Sequence, residues 1–223
     1  MTTFELELFQ GHAIIKEGGN IMLIDTGAPS TIHINNNLIF CGESHSCSTN
    51  YLGLTIEGLS ELLGMEVTTL IGCDILSAYG VLFDYRNKAV TFYKEGMDSL
   101  SNEIELGSFM GVPTIGLGVE GQKLNFFLDT GAKLSYLDNK HTSQHPSIGR
   151  EEDFHPSLGK FETECYQLTT LIGDKEFSVK YGNLPSLLQM RLTLSSIDGI
   201  IGSDLFNSFK IYLDIKNRKL GYE

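Results

Sequence analysis

Two aspartates, Asp25 and Asp129, lie in nearly identical settings, and paired carboxyl groups can do acid–base chemistry that a single one cannot. Each begins an Asp-Thr-Gly-Ala tetrapeptide, and each follows a pair of apolar residues. One carboxyl group cannot both activate a water molecule and protonate a leaving amine, whereas two that share a proton can do each in turn. Like charges held close together do not both ionise, so such a pair titrates as a unit. The residue types therefore fit hydrolysis of an amide bond by activated water.

Both aspartates belong to an internal repeat, which indicates how the chain is organised. Asp129 follows Asp25 by 104 positions. A second shared motif, apolar-apolar-Gly-x-Asp, contains Gly72 in the first copy and Gly202 in the second, 130 positions apart. Asp-Tyr-Arg-Asn-Lys after the first copy is matched by Asp-Ile-Lys-Asn-Arg after the second. The constant order of these motifs indicates an internal duplication, with about 26 additional residues in the second half between positions 139 and 195.

The segments before each Asp-Thr-Gly predict the strands that position the aspartates. Apolar runs at 13–16 and 21–24 flank a glycine-rich turn, and runs at 114–119 and 123–128 flank another. Such a pattern is typical of a β-hairpin. We therefore expect one hairpin to lead into each motif.

The segments after each Gly-x-Asp predict a short helix followed by a second hairpin. The helices are expected at 75–79 and 205–209, and the hairpins turn at 86–88 and near Asn217. A further short helix is predicted over 56–63. Strands therefore dominate both halves.

The paired motifs resemble those of the aspartic peptidases, and Ile-Gly-x-Asp-Ile-Leu is more similar to the retroviral and retrotransposon-like branch than to the pepsins. The resemblance covers most of both halves. It implies that Asp25 and Asp129 form the catalytic pair, with no metal ion and no other cofactor. Members of that branch usually supply one lobe per chain and dimerise, whereas this chain carries two in tandem. We therefore expect a monomer with approximate two-fold symmetry.

The same resemblance assigns supporting roles to residues around the pair. The two threonine hydroxyls are expected to hydrogen-bond across the two-fold axis, and the glycines of the motifs let the backbone approach the carboxyl groups without a Cβ clash. The later glycines are expected to let the following strand pass close beneath the catalytic loop. These residues are Thr26, Gly27, Thr130, Gly131, Gly72 and Gly202.

The implied fold is all-β: a two-lobed, pseudo-symmetric acid-protease β-barrel fold with a few short helices. The predicted N-terminal lobe covers residues 1–97 and contains the first Asp-Thr-Gly. The C-terminal lobe covers 98–223 and contains the second. The polar segment 96–102 is the candidate linker between them.

Ala28 and Ala132 follow the two motifs where pepsin-like members often carry Ser or Thr. A hydroxyl there would donate to the carboxylate and favour its ionised form. Without that donor the pKa values of the pair should be higher. We therefore expect an activity optimum at mildly acidic to neutral pH.

Members of the family cover the cleft with a hairpin flap, and the first half leaves little room for one because part of its interval is predicted to be helical. The second half offers a predicted hairpin at 161–181, preceded by a polar loop at 147–160, and either could overhang the cleft. Tyr51 and Tyr166 are candidate cleft aromatics, although such tyrosines are more often simple packing residues. The six histidines show no metal-ligand spacing, and no role is predicted for them.

Composition excludes several classes of partner. The net charge of −12 opposes binding to nucleic acid and to anionic membranes. The N-terminus lacks the basic start and apolar core of a signal peptide, and no apolar run reaches the roughly 18 residues of a membrane span. Four cysteines are few for a disulfide scaffold, and Cys41, His45 and Cys47 lack a second ligand pair at zinc-site spacing. We expect a cytoplasmic protein.

The function predicted from the sequence is that of an aspartic endopeptidase acting on an extended peptide or protein substrate. Two alternatives remain open. One is a catalytically silent peptide-binding or adaptor module with the same fold. The other is a peptidase that cuts one specific partner protein and shows little turnover of general peptides.

Overall fold

Strands dominate the computed structural model, which describes residues 1–98 and 100–223. They account for 50% of the chain and helices for 14%, so the predicted all-β class is confirmed at this level. In the described part of the chain, none of the helices has the length and apolarity that crossing a bilayer would require.

The first half contains twelve strands and two short helices in its described residues. The elements are β1 (Thr2–Glu5), β2 (Glu7–Phe9), β3 (His12–Glu17), β4 (Asn20–Ile24), β5 (Ile32–His33), β6 (Asn37–Phe40), β7 (Glu43–Ser46), β8 (Asn50–Tyr51), β9 (Leu54–Thr55), α1 (Ile56–Leu63), β10 (Thr69–Ile71), α2 (Cys73–Leu76), β11 (Gly80–Asp84) and β12 (Ala89–Tyr93).

Among its described residues, the second half contains eleven strands and three helices. The elements are β13 (Asn102–Glu105), β14 (Gly107–Phe109), β15 (Val112–Val119), β16 (Gln122–Leu128), β17 (Ser135–Leu137), α3 (Asn139–Thr142), β18 (Gly149–His155), β19 (Gly159–Ile172), β20 (Lys175–Gly182), α4 (Ser186–Leu194), β21 (Gly199–Ile201), α5 (Ser203–Ser208), β22 (Ile211–Asp214) and β23 (Lys219–Tyr222).

Three main sheets organise these strands. A five-stranded sheet, ordered β2-β3-β4-β10-β5, belongs to the first half, and an eight-stranded sheet, ordered β14-β15-β16-β21-β17-β20-β19-β18, belongs to the second. A six-stranded sheet, ordered β1-β12-β11-β22-β23-β13, takes three strands from each half. Its central pair, β11 and β22, is antiparallel and joins the halves directly.

The strands that lead into the two aspartates are paired in the same way. β10 runs parallel to β4 and places Ile71 beside Ile24, while β21 runs parallel to β16 and places Ile201 beside Leu128. The hairpins β3–β4 and β15–β16 precede the aspartates as the sequence predicts. The last residues of strands β4 and β16 are buried, so the strand ends that precede Asp25 and Asp129 are fixed in the core.

Two expectations about secondary structure need correction. The helices predicted at 75–79 and 205–209 begin two residues earlier, at Cys73 and Ser203, because Gly72 and Gly202 are their N-caps and an aspartate lies in each first turn. The polar loop predicted at 147–160 contains β18, which pairs with β19 over seven residues. The remaining hairpins, and helix α1 over Ile56–Leu63, agree with the prediction.

The predicted linker at 96–102 includes residue 99, which lies outside the described residues. β13 begins at Asn102, the last residue of that segment. Buried aromatic residues of both halves meet beneath the shared sheet, where the ring of Phe83 packs against that of Phe206 at 5.2 Å between centroids. A continuous core therefore runs from one half into the other.

Candidate active site

The first aspartate is held by the loop that it begins. Asp25 donates its backbone N–H to the carbonyl of Ile71 at 3.0 Å, which fixes the end of β4 against β10. Its Oδ1 atom accepts hydrogen bonds from the backbone N–H groups of Gly27 at 2.8 Å and Ala28 at 3.0 Å. The carboxyl group is thus oriented by its own tight turn.

The second aspartate has the same environment in the other half. Asp129 donates its backbone N–H to the carbonyl of Ile201 at 3.0 Å. Its Oδ1 atom accepts from the backbone N–H of Gly131 at 2.8 Å, and the backbone N–H of Ala132 also contributes. Two equivalent loops therefore present two equivalent carboxyl groups.

The two threonines link these loops reciprocally. Thr26 N–H donates to Thr130 Oγ1 at 3.0 Å, and Thr130 N–H donates to Thr26 Oγ1 at 2.9 Å. Each hydroxyl then donates to a carbonyl of the opposite half, Thr26 to Leu128 at 2.7 Å and Thr130 to Ile24 at 2.8 Å. Both threonines are fully buried, so these four bonds fix the separation of the loops.

The two carboxyl groups lie next to each other across this link. The Asp25 and Asp129 side chains interact directly with each other. A Cβ atom added to Gly27 would lie 2.4 Å from Asp129 Cγ, and one added to Gly131 would lie 2.5 Å from Asp25 Cγ. Each glycine therefore leaves the space that the opposite carboxyl group occupies.

Burial raises the pKa of Asp25 well above its usual range, and the adjacent charge of Asp129 raises it further. Burial also raises the pKa of Asp129, although the interaction with the Asp25 side chain and the backbone N–H groups of Gly131 and Ala132 oppose the rise. The pair therefore holds one proton between its members in the pH range where an isolated aspartate is ionised.

Gly72 and Gly202 lie directly beneath the two loops. A Cβ atom on Gly72 would lie 2.8 Å from the Ala28 carbonyl oxygen, and one on Gly202 would lie 2.4 Å from the Ala132 carbonyl oxygen. Only glycine allows the chain to pass this close. The structure thus brings all eight residues singled out in the sequence into one assembly.

The aspartate of each Gly-x-Asp motif supports the same assembly, and the sequence did not assign it a role. Asp74 accepts from Thr31 twice, from its N–H at 2.9 Å and from its hydroxyl at 2.6 Å. Asp204 accepts from the Ser135 hydroxyl at 3.0 Å. Those two hydroxyls in turn accept the N–H groups of the motif glycines. The repetition of the aspartate in both motifs was the available signal.

A cavity of about 440 Å³ opens above the carboxyl pair. The turn between β8 and β9, at Leu52 and Gly53, lines this cavity. The turn between β18 and β19, at 155–157, lines it as well. Both halves therefore contribute a hairpin turn that borders the space above the aspartates.

The two tyrosines predicted as candidate cleft aromatics lie in different parts of the structure. Tyr51 lines the cavity, whereas Tyr166 packs against the main core. Further polar side chains that the sequence did not single out also line it, among them His12, Tyr136 and Asp153. They come from three distant segments, and no local motif marks them.

No group of three or more metal-ligating side chains occurs in residues 1–98 and 100–223. Two carboxyl groups that share a proton can act as general base and general acid toward a bound amide and a water molecule.

Comparison of the sequence with family models and with curated proteins finds no match. The similar solved structures include a retropepsin-like aspartic protease from Rickettsia conorii, 22% identical, with a TM-score of 0.38 over 56% of this chain and 94% of that one. The simian foamy virus (mac) protease is 15% identical, with a TM-score of 0.32 over 41% of this chain and 90% of that one. The EIAV protease is 20% identical, with a TM-score of 0.28 over 43% and 86%. These likenesses are too weak to argue from, and the geometry of the site carries the functional assignment.

Proposed function

We propose that the chain is an aspartic endopeptidase in which Asp25 and Asp129 hydrolyse a peptide bond through an activated water molecule. One observation carries this proposal: two buried carboxyl groups, one from each half, lie next to each other in the lining of one cavity. The reciprocal threonine bonds hold the pair without any group from outside the chain.

The shared proton gives each carboxyl group its role. One carboxylate of the pair takes a proton from water as the water attacks the substrate carbonyl. The other carboxyl group, which carries the shared proton, donates it to the developing oxyanion and so stabilises the tetrahedral intermediate. The first aspartate then passes its proton to the leaving amine as the C–N bond breaks, while the second takes a hydroxyl proton from the intermediate, which leaves a carboxylic acid product and restores the shared proton. No covalent intermediate forms, and the chemistry needs no metal ion or other cofactor.

Both members of the pair come from the same chain, which supports a two-lobed, pseudo-symmetric acid-protease fold active as a monomer. The lobes correspond to residues 1–97 and 98–223. The six-stranded sheet that the halves share would keep the lobes in register. A second copy of the chain is not required to complete the site.

The proposed substrate is an extended peptide or protein segment. Apolar side chains from both halves line the cavity, including Leu54 and Leu59 on one side and Leu184 and Ile200 on the other. They suit apolar substrate side chains, and an extended backbone fits between the two hairpin turns by strand-like hydrogen bonding. The raised pKa values of the pair support activity at mildly acidic to neutral pH.

Cleavage of a mixed peptide library between about pH 3 and pH 8, a span that brackets a carboxyl pair, tests this proposal. Mass spectrometry of the products should show new termini with the wild type and none with Asp25→Asn or Asp129→Asn. Asp174→Asn, an exposed substitution outside the cavity, is the matched control and should cleave normally. A folded wild type that binds peptides without cutting any would favour the silent binding module instead.

A further inference from the structure

Asp153 is a third carboxyl group in the same cavity, and the proposed mechanism does not use it. It lies on β18, is 7% exposed, and lines the cavity together with the catalytic pair. Its Oδ2 atom accepts from the hydroxyl of Tyr136, and its Oδ1 atom accepts from the Phe154 N–H at 2.8 Å. A carboxylate offers about four acceptor positions, so unused positions remain on both oxygens.

No cationic nitrogen neutralises this carboxyl group within 4.0 Å in residues 1–98 and 100–223. The nearby Lys133 directs its ammonium to the carbonyl of Glu152 instead. Arg191 also lines the cavity. Burial lowers the pKa of His155 at the β18–β19 turn, and the positive charge of Arg191 lowers it further. Burying a carboxylate without a cation is costly, and a positively charged ligand would remove that cost.

His12 lies beside Asp153 in the lining of the cavity. Its side chain is 3% exposed, and its ring contacts that of Phe154 at 5.9 Å between centroids. Burial lowers the pKa of His12, although the nearby charge of Asp153 opposes this, and the lowered pKa favours the neutral ring. The Nδ1 atom is shielded from solvent and has no hydrogen-bond partner in the described part of the chain. Asp153 therefore keeps open acceptor positions at the cavity with a neutral histidine, and not a cation, beside it.

We propose that Asp153, with the neutral ring of His12 beside it, forms a subsite that selects a lysine or arginine side chain next to the scissile bond. A substrate ammonium or guanidinium group supplies hydrogen-bond donors for the open positions on Asp153 and the positive charge that Asp153 lacks. The corresponding wall of the first half is apolar, with Tyr51, Leu54 and Leu59. The cleft therefore prefers a cationic residue on one side of the bond and an apolar residue on the other. This inference rests on the proposed peptidase function.

Paired peptides test the subsite. N-acetylated peptides that carry lysine or norleucine at each position flanking the scissile bond differ in charge but little in length. The wild type should show a higher kcat/KM for lysine at one position, and Asp153→Asn should reduce the lysine-to-norleucine ratio by at least about tenfold. The norleucine peptide should still be cleaved by the variant, and Asp174→Asn should leave the ratio unchanged. No lysine preference in the wild type, or an unchanged ratio in Asp153→Asn, overturns the proposal.

A binding measurement separates the failure of this subsite from the failure of the peptidase function. Calorimetry with the Asp25→Asn variant should show tighter binding of the lysine peptide, and that preference should disappear in the double variant with Asp153→Asn. This result would support the subsite even if the wild type cleaved nothing. The last set of peptides in the binding measurement carries a free α-amino group in place of the lysine side chain. A preference for these alone would assign the site to a substrate N-terminus and contradict selection of a side chain.

Discussion

Gly27→Ala is a minimal perturbation of the carboxyl pair, because it adds one methyl group in the contact between the two halves. Gly27 does not have a positive φ, so the backbone tolerates alanine and the effect is purely steric. The added Cβ would lie 2.4 Å from both Cγ and Oδ2 of Asp129. Non-bonded carbon atoms approach to about 3.5–4.0 Å, so the carboxyl group must move by about 1 Å or more.

The displacement sets the size of the expected effects. A misplacement of about 1 Å in a reacting group costs roughly 100-fold in rate. Overpacking of this kind also destabilises the fold by roughly 1–3 kcal/mol. Gly131→Ala should behave in the same way, because its Cβ would lie 2.5 Å from Asp25 Cγ.

The assay combines kcat/KM on one cleaved peptide with urea unfolding of the same preparations. Gly58→Ala is the matched control, since it lies in α1 and its Cβ would be 3.7 Å from the nearest atom, Thr55 Oγ1. The control should keep full activity and gain roughly 0.5–1 kcal/mol of stability. A folded Gly27→Ala protein with undiminished kcat/KM would show that the two carboxyl groups do not work in this close arrangement.

Three further predictions concern stability, each measured by urea unfolding. Thr130→Val should lower the free energy of unfolding by roughly 2–4 kcal/mol, because it leaves a buried N–H and a buried carbonyl of the first half unpaired. Asp74→Ala should cost about 2–3 kcal/mol through the lost bonds from Thr31, whereas the isosteric Asp74→Asn should cost less. Burial raises the pKa of Asp25 above its value in the unfolded chain, so above about pH 4 the folded state binds more protons than the unfolded state. The free energy of unfolding of the wild type should therefore fall as the pH rises above about 4. Asp25→Asn removes this loss, so its stability relative to the wild type should increase from about pH 4 to pH 8, and a constant difference would contradict the raised pKa.

The repeated motifs carry most of what the sequence could predict. Each motif is local, so the hairpin before it and the glycine-capped helix after it follow from nearby residues. Helix α1 has the predicted bounds, and in the structure Thr55 caps its N-terminus and Gly64, with φ of 70°, ends it. The pairing of the two halves followed from the repeat itself.

Strand β18 shows where local patterns fail. Its seven residues are mostly polar, and only Asp153 among them is buried. The strand exists because β19 supplies a long hydrogen-bonding edge, with Gly149 opposite Cys165 and His155 opposite Gly159. Such pairing depends on a distant partner rather than on the composition of the segment.

The polar wall of the cavity could not be predicted for a related reason. His12, Tyr136 and Asp153 lie on separate strands that approach only when the second-half sheet extends over the carboxyl pair. A lone histidine or aspartate in a sequence is usually exposed, and nothing local indicates that these are buried. Burial without complementary partners is visible only in the folded chain.

The most direct test of the account is the activity of the single and double aspartate variants on one peptide that the wild type cleaves. If Asp25 and Asp129 act as one unit, Asp25→Asn and Asp129→Asn should each abolish nearly all activity, and the double variant should be no worse than either single variant. Circular dichroism and urea unfolding would establish that all three variants fold. Either single variant retaining substantial kcat/KM, or losses that multiply in the double variant, would contradict a shared carboxyl pair.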